Sequence, residues 1–343
     1  MRICFTVILM LTVLLSNTLA EIERFATIKI PSTLERNSLL KPYTLKKVTS
    51  REEGLEIKGE IPYLQNLDSF GDVLNERIDG TYRQKVSSAK ESKARSITFS
   101  LWQDGHYSYK GISSLLLRTS ITTAVSKDEI SSFNFKPDEA RLIGVNDILG
   151  PNGLVIAGKV ISQNIRANSE RYYTNFSGLQ DSDAFYASDD GNIIVFLFDA
   201  FQIAPGSEGI IAFPLKIDGV INTKPIKKDE GYWIKNTSYS LKMVSLRAVC
   251  DELGYEISWN ENSKVITIER GGDVTVSLKT GINTYMSRRA GARQDQRRSL
   301  ESAPVMKDNV TYVPISFFDQ ILELVAYHVD ENENIIFSTY AEN

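Results

Sequence analysis

Apolar positions change period several times along the chain, and each change marks an element. GLEIKGEIPY at 54–63 alternates apolar and polar residues, the pattern of a strand buried on one face. From residue 68 onward Phe70, Val73, Leu74 and Arg77-Ile78 recur at helical spacing, predicting a helix that Asp68 or Ser69 can cap. ARSITFSLW and HYSYKGISSLLLRTSITTAVS return to the β-branched and aromatic composition of strands. Gly150-Pro151-Asn152 opens a second helix, with Leu154, Ala157, Ile161 and Ile165 on one face. AFYASDDGNIIVFLFDAFQI holds two apolar runs around Asp190-Gly191, a strong hairpin signal. The run Ile193 to Phe198 is apolar throughout, so that strand is expected to be covered on both faces. Phe201 and Ile203 close it, and Ala204-Pro205-Gly206-Ser207 turns the chain. Pro205 fixes φ and Gly206 tolerates positive φ, before Gly209 to Phe213 return as a strand.

A repeat follows. MVSLRAVCDELGYEISWNENSKVITI (243–268) and YVPISFFDQILELVAYHVDENENIIF (312–337) align at an offset of 69 residues, 70 after one insertion. Each copy predicts a short strand, an amphipathic helix, a strand, an Asn/Asp/Glu turn and a closing strand. Leu246, Val249, Cys250 and Leu253 form the buried stripe of the first helix, and Gly254 suits the position after its end. In the second copy Pro314 takes the first helical turn, where its missing N–H is harmless, and Ile315, Phe318 and Leu322 repeat the stripe. The charged stretch NTKPIKKDEG at 222–231 is the natural boundary. The expected organisation is a leader over 21–45, a module over 46–220, a linker over 221–235 and a smaller domain over 236–343. The fold class is α+β: a helix-flanked antiparallel sheet module, then a pseudo-duplicated strand–helix–strand domain.

The first twenty residues differ from the rest. Arg2 precedes an apolar run from Ile3 to Leu15, then SNTLA and the charged EIERF, the order of a secretory signal cut after Ala20. Retention as an uncleaved N-terminal anchor is the alternative. Removing Arg2 from 39 basic residues leaves 38 against 43 acidic ones, a net charge of −5, which gives no general drive toward nucleic acid. Cleavage also removes Cys4 and leaves Cys250 alone, so no internal disulfide can form. An exported chain without disulfides fits a bacterial envelope, of a Gram-positive type, better than a eukaryotic secretory route. The sequons at Asn175, Asn236 and Asn309 would matter only in that second route. No later apolar stretch is long enough to span a bilayer.

Val244-Ser245-Leu246-Arg247, Leu253-Gly254, Trp259-Asn260 and Val265-Ile266-Thr267-Ile268 together resemble the domain family named after the N-terminal region of copper amine oxidases. That family is common in exported proteins of Gram-positive bacteria. The second copy keeps Val313-Pro314-Ile315-Ser316 but lacks the family's Arg and its Leu-Gly ending, so it is a degenerate repeat. Copper itself is not expected: copper sites gather imidazoles, or thiolate with imidazole, and the chain has only His106 and His328, in different predicted domains. Phe185-Tyr186, Asp190-Gly191 and the run Phe201 to Gly209 resemble a second family, a paired extracellular module of unknown biochemical function. It occurs in the lysozyme-sensing region of certain bacterial anti-sigma factors and ahead of some peptidoglycan deacetylase domains. The resemblance implies an exported envelope protein that binds wall glycan or a protein acting on it.

Few residues carry chemistry. Gly206-Ser207-Glu208-Gly209 comes near a nucleophile elbow, but Pro205 stands where the first Gly belongs and a strand, not a helix, follows. Trp233 and Trp259 could stack on sugars, though a core or interface place is the commoner fate of Trp. His106 and His328 read as surface or structural residues, since a metal needs three or four donors. Asp181/Asp183, Asp189/Asp190 and Asp330-Glu331-Glu333 lack the spacing of a calcium loop and read as solvated turns. Cys250 reads as a small buried hydrophobe. SRRAGARQDQRRS at 287–299 stands out with five arginines, Arg288, Arg289, Arg293, Arg297 and Arg298, against one aspartate. A solvated arm is one reading; contact with anionic wall polymer is the other, since Arg presents a bidentate fork to phosphate. The expectation is an exported, non-catalytic envelope-binding or stalk protein, with no cofactor and with wall polymer or a wall-active protein as partner. A sensor or inhibitor of a wall-active enzyme such as lysozyme is the first alternative. A wall glycan hydrolase or deacetylase-like enzyme is the second, although no carboxylate pair can be nominated for it.

Overall fold

The computed structural model describes residues 43–65, 68–227, 231–235, 240–271, 274–289, 294–322 and 324–341. The expected signal segment 1–20 with Cys4, and the leader up to residue 42, lie outside the described residues, as do the sequon residue Asn236 and linker positions 228–230.

The first sheet runs in the order β1 (Tyr43–Glu52), β2 (Leu55–Leu64), β3 (Ser96–Tyr109), β4 (Ile112–Thr122), β5 (Ser126–Lys136) and β6 (Arg141–Leu142). All neighbours are antiparallel except β2 and β3, which pair in parallel from Glu56↔Ser96 to Gly59↔Phe99. The expected antiparallel sheet is therefore mixed. The cause is α1 (Asp68–Glu91): its 24 residues carry the chain back along the sheet, the crossover a parallel pair needs. Leu74, Ile78, Val86 and Ala89 of α1 are buried with Ile57, Ile97, Phe99, Leu115, Leu117 and Phe135. Val73, expected in this stripe, is 55% exposed. Gly59 makes the parallel contact possible: its φ is +126°, and a Cβ there would sit 2.0 Å from the Phe99 carbonyl oxygen.

Helices α2 (Val145–Leu149) and α3 (Gly153–Ala167) then lead to the sheet β7 (Ala184–Ser188), β8 (Ile193–Phe198) and β9 (Ile211–Lys216). Strand β8 is buried at every residue, as its unbroken apolar run requires. Ala157, Ile161 and Ile165 of α3 pack on Ile194, Phe196 and Phe198, with Leu154 at the rim. The Asp190-Gly191 turn takes the left-handed conformation at Gly191 (φ 76°) and Asn192 (φ 51°). The turn at Pro205 forms as expected, but for another reason. Gly206 is needed because the Phe201 ring lies over it, 2.0 Å from where a Cβ would be, whereas the positive φ falls on Gly209 (68°). Tyr107 stacks on Tyr186 at 4.0 Å, and Asn134 donates to the Phe185 carbonyl at 3.1 Å, tying the two sheets together.

The remaining chain supplies β10 (Val220–Asn222), β11 (Tyr232–Lys235), β12 (Ser240–Ser245), α4 (Leu246–Glu252), β13 (Glu256–Asn260), β14 (Val265–Arg270), β15 (Val274–Lys279), β16 (Ile282–Arg289) and β17 (Gln296–Arg298). It ends with β18 (Val305–Lys307), β19 (Val310–Pro314), α5 (Ser316–Gln320), β20 (Val325–Val329) and β21 (Ile335–Tyr340). The pseudo-duplication is visible element by element: β12–α4–β13–β14 against β19–α5–β20–β21. The two leading strands pair antiparallel, Val244 opposite Val313, and both helices bury their stripes in one core with Ile268, Tyr285 and Phe337. Strands β13 to β17 form one sheet, and β20 and β21 another.

The boundary expected at 221–235 does not separate two bodies. Strand β10 pairs with β21, and Ile226 bridges to Ile335, so the segment is bound into the last strand of the chain. Asn152, just before α3, donates to the Ile336 carbonyl at 3.0 Å and to Ser338 Oγ at 2.7 Å. Residues 42–343 form one compact unit.

Candidate functional site

The described ends of the arginine run lie on the paired strands β16 and β17, and antiparallel register decides which face Arg288, Arg297 and Arg298 take. Tyr285 pairs with Arg298 and Met286 with Arg297, so these two neighbours leave the sheet on opposite faces. Tyr285 is fully buried, which places Arg298 on the core side and Arg297, with Arg288, on the outer side. Arg288 is held by Asp295 at 2.5 Å, and that ion pair pulls the Asp295 carboxyl below its ordinary range. Arg297 is exposed and forms no ion pair within 4 Å among the described residues, though its charge also helps to lower the Asp295 carboxyl. Residues 290–293, with Arg293, and the Arg289 side chain lie outside the described residues. One run in the sequence is thus two surfaces in the fold.

Arg298 enters a cleft of about 320 Å³ lined by Lys159, Gln163, Arg166, Arg298, Asp319, Gln320 and Leu324. Lys159 and Arg166 come from α3, Arg298 from β17, Asp319 and Gln320 from the end of α5. Lys159 Nζ donates to Asp319 Oδ1 at 2.6 Å, the Asp319 carbonyl at 3.1 Å and the Val325 carbonyl at 2.7 Å. Those three bonds use all of its hydrogens. Arg298 donates to the Gln320 carbonyl at 2.8 Å, and Arg166 Nε to the Ser162 carbonyl of its own helix at 3.1 Å. Neither guanidinium has a carboxylate within ion-pair distance among the described residues. Lys159 and Arg166 were missed in the sequence. Their spacing with Gln163, three and four residues apart, does mark one polar face of α3; what covers that face is a matter of tertiary structure.

The other candidates resolve plainly. Ser207 is exposed on a short 3-10 turn followed by strand β9, so no nucleophile elbow is built. Trp259 lies on the face of its sheet that carries buried Ile266, at the rim of the core, with Lys264 Nζ 5.8 Å from its ring centre. The side chains of Trp233 and His106 lie outside the described residues. Asp330 ties its own turn by accepting from the backbone of Asn332 and Asn334, and Asp183 accepts from the Gln180 N–H. Asp189 meets the Lys110 N–H at 3.3 Å, joining the β7–β8 turn to the β3–β4 turn. Cys250 is fully buried, and burial pushes its thiol pKa up to about 12. No group of three His, Cys, Asp or Glu suited to a metal occurs among the described residues. With His328 exposed on β20 and Cys250 in the core, those residues do not fit a copper ion.

Residues 220–337 match the family described as the copper amine oxidase N-terminal domain. That stretch holds both repeat copies and begins at β10, sixteen residues before the start at 236 expected for the smaller domain. Among characterised proteins, the chain is 26% identical over 94 residues to a protein named "Protease inhibitor" from Brevibacillus choshinensis. The alignment spans 27% of this chain and 27% of that relative, about a quarter of each. Two solved structures of DUF3298 family proteins show partial likeness. The one from Bacteroides fragilis has 12% identity over 51% of this chain and 89% of its own, with a TM-score of 0.33. The one from Pseudomonas aeruginosa has 14% identity over 52% and 92%, also with a TM-score of 0.33.

Proposed function

We propose that this chain is an exported binding protein of the cell envelope, without a catalytic centre of its own, which holds an anionic wall polymer through the outer face of the β16–β17 arm. The observation that carries the reading is the fate of the arginine run. Strands β16 and β17 lie in the stretch that matches the copper amine oxidase N-terminal domain family, and on their outer face Arg297 stands exposed, outside the close Arg288–Asp295 ion pair. A guanidinium in that state favours phosphate or carboxylate groups on a long polymer, and the attraction weakens as salt screens it. The order of residues 1–20 supports export. The test is sedimentation with purified walls. Replacing Arg288, Arg289, Arg293 and Arg297 with Gln, with Arg298 of the other face kept, should leave the protein in the supernatant, and raised salt should do the same to the wild type. Undiminished sedimentation of the variant at low salt would end the reading.

A second reading has one observation in its favour, the name of the Brevibacillus relative. In it the chain captures a secreted hydrolase, whether a protease or a wall-active enzyme such as lysozyme. Assays against representative serine and metalloproteases, with a lysozyme pull-down alongside, test this; no inhibition and no recovered enzyme would remove it.

A further inference from the structure

We infer that the cleft between α3, β17 and α5 is a binding site for a phosphate monoester group, independent of the polymer contact proposed for the outer face of the arm. The charges in the cleft lead there. Lys159 and Asp319 satisfy each other at 2.6 Å, so the two guanidiniums, Arg166 and Arg298, are left without an ion-pair partner among the described residues. A phosphate monoester carries nearly two negative charges at neutral pH and three acceptor oxygens, which matches two guanidiniums better than a single carboxylate does. Each guanidinium spends one donor position on a backbone carbonyl, Ser162 for Arg166 and Gln320 for Arg298. Those bonds hold the forks in place, and each keeps further N–H donors of its five for an oxyanion.

The rest of the lining suits what a phosphate would be attached to. Gln163 and Gln320 offer amide donors and acceptors, and Leu324 an apolar patch, around a volume of about 320 Å³. That is near the lower end of small-molecule sites, room for one sugar- or polyol-sized group. The cleft also draws on both halves of the chain, α3 on one side and the second repeat on the other, where ligand sites commonly fall. A phosphorylated sugar, a phosphorylated polyol and free phosphate share the recognised group.

The test is calorimetric titration of the full chain with inorganic phosphate, glycerol phosphate and a sugar 6-phosphate, against sodium chloride of equal ionic strength. Saturable binding of inorganic phosphate is expected. Tighter binding of one ester identifies the attached group, and equal binding of all three identifies the phosphate alone. Arg166→Gln should weaken binding about tenfold, the size of one lost charge-assisted bond pair. Arg166 is exposed and bonded only within its own helix, so this variant keeps the fold. Arg298→Lys, which keeps the charge and loses the fork, should bind more tightly than Arg298→Gln. Heats no larger than those of chloride, or unchanged affinity in Arg166→Gln, would overturn the inference. Wall sedimentation is read separately: phosphate binding by a protein that does not sediment with walls would sink the arm reading and leave this one standing.

Discussion

Lys159→Met keeps the aliphatic stem and removes the ammonium that joins α3 to the second repeat. Three acceptors lose their donor at once: Asp319 Oδ1, the Asp319 carbonyl and the Val325 carbonyl. The Asp319 side chain is 42% exposed, so water repairs much of the loss there, and that pair is worth about 0.5 kcal/mol. The Val325 carbonyl belongs to a fully buried residue, and removing a charged donor from such a group costs about 1.5–3 kcal/mol. Together these give a loss of about 2–3.5 kcal/mol, which at roughly 2 °C per kcal/mol for a chain of this size lowers Tm by about 4–7 °C. Differential scanning calorimetry of Lys159→Met, Asp319→Asn and the double variant measures it. Asp319→Asn alone should cost less, because Lys159 keeps its two carbonyl acceptors. A Tm within about 1 °C of wild type for Lys159→Met would refute the reasoning, since it would mean that the buried carbonyl finds another donor at no cost.

Gly59→Ala should destabilise by several kcal/mol, or prevent folding, because it combines a φ of +126° with a Cβ 2.0 Å from the Phe99 carbonyl oxygen; urea unfolding reads the loss. Cys250 should resist a maleimide at pH 8 in the native state and react only as fast as the protein opens, since burial holds its thiol near pKa 12; mass spectrometry of labelled protein checks this. Burial opposes ionisation of Glu129, but bonds from Lys127 at 2.7 Å and Lys85 at 2.6 Å outweigh it and hold its carboxyl below the ordinary 4.5. Its stabilisation is therefore complete above about pH 4.5 and lost as pH falls through the lower folded value. Glu129→Gln should lower Tm at pH 7, and the gap to wild type should close as the pH is taken from 5 to 3.

The parts of the fold that were legible were those set by local period and turn chemistry. The stripe Leu246, Val249, Cys250 and Leu253, the buried run Ile193–Phe198 and the Asp190-Gly191 hairpin all stand where the sequence put them. Local pattern could not supply pairing at a distance. The parallel match of β2 to β3 depends on how α1 returns the chain, and nothing in GLEIKGEIPY announces it. The NTKPIKKDEG stretch has the composition of a linker, yet β10 at its start finds a partner 120 residues later, Val220 opposite Tyr340. The site shows the same division. Five arginines were visible as a run, but the split between Arg297 and Arg298 follows from the pairing of β17 with β16, and Arg166 meets Arg298 only in the folded chain.

The degenerate second repeat follows from the same junction. A helix leaves its last carbonyls without intrahelical partners, and the first copy meets that need in the usual way. Leu253-Gly254 ends α4, with Gly254 at a φ of 76° and the Tyr255 N–H bonding back to the Cys250 carbonyl at 2.8 Å. The second copy has no Leu-Gly, and its helix end is closed from outside. Lys159 of α3 takes the Asp319 carbonyl, and Arg298 of β17 takes the Gln320 carbonyl. Cations at a helix C-terminus also suit its dipole. Once two distant side chains cap α5, the glycine has no task there, and its loss leaves the end of α5 open toward α3. The departure from the family pattern at 316–324 and the cleft at that place therefore have one cause: the second repeat has exchanged a cap of its own for one made by the rest of the chain.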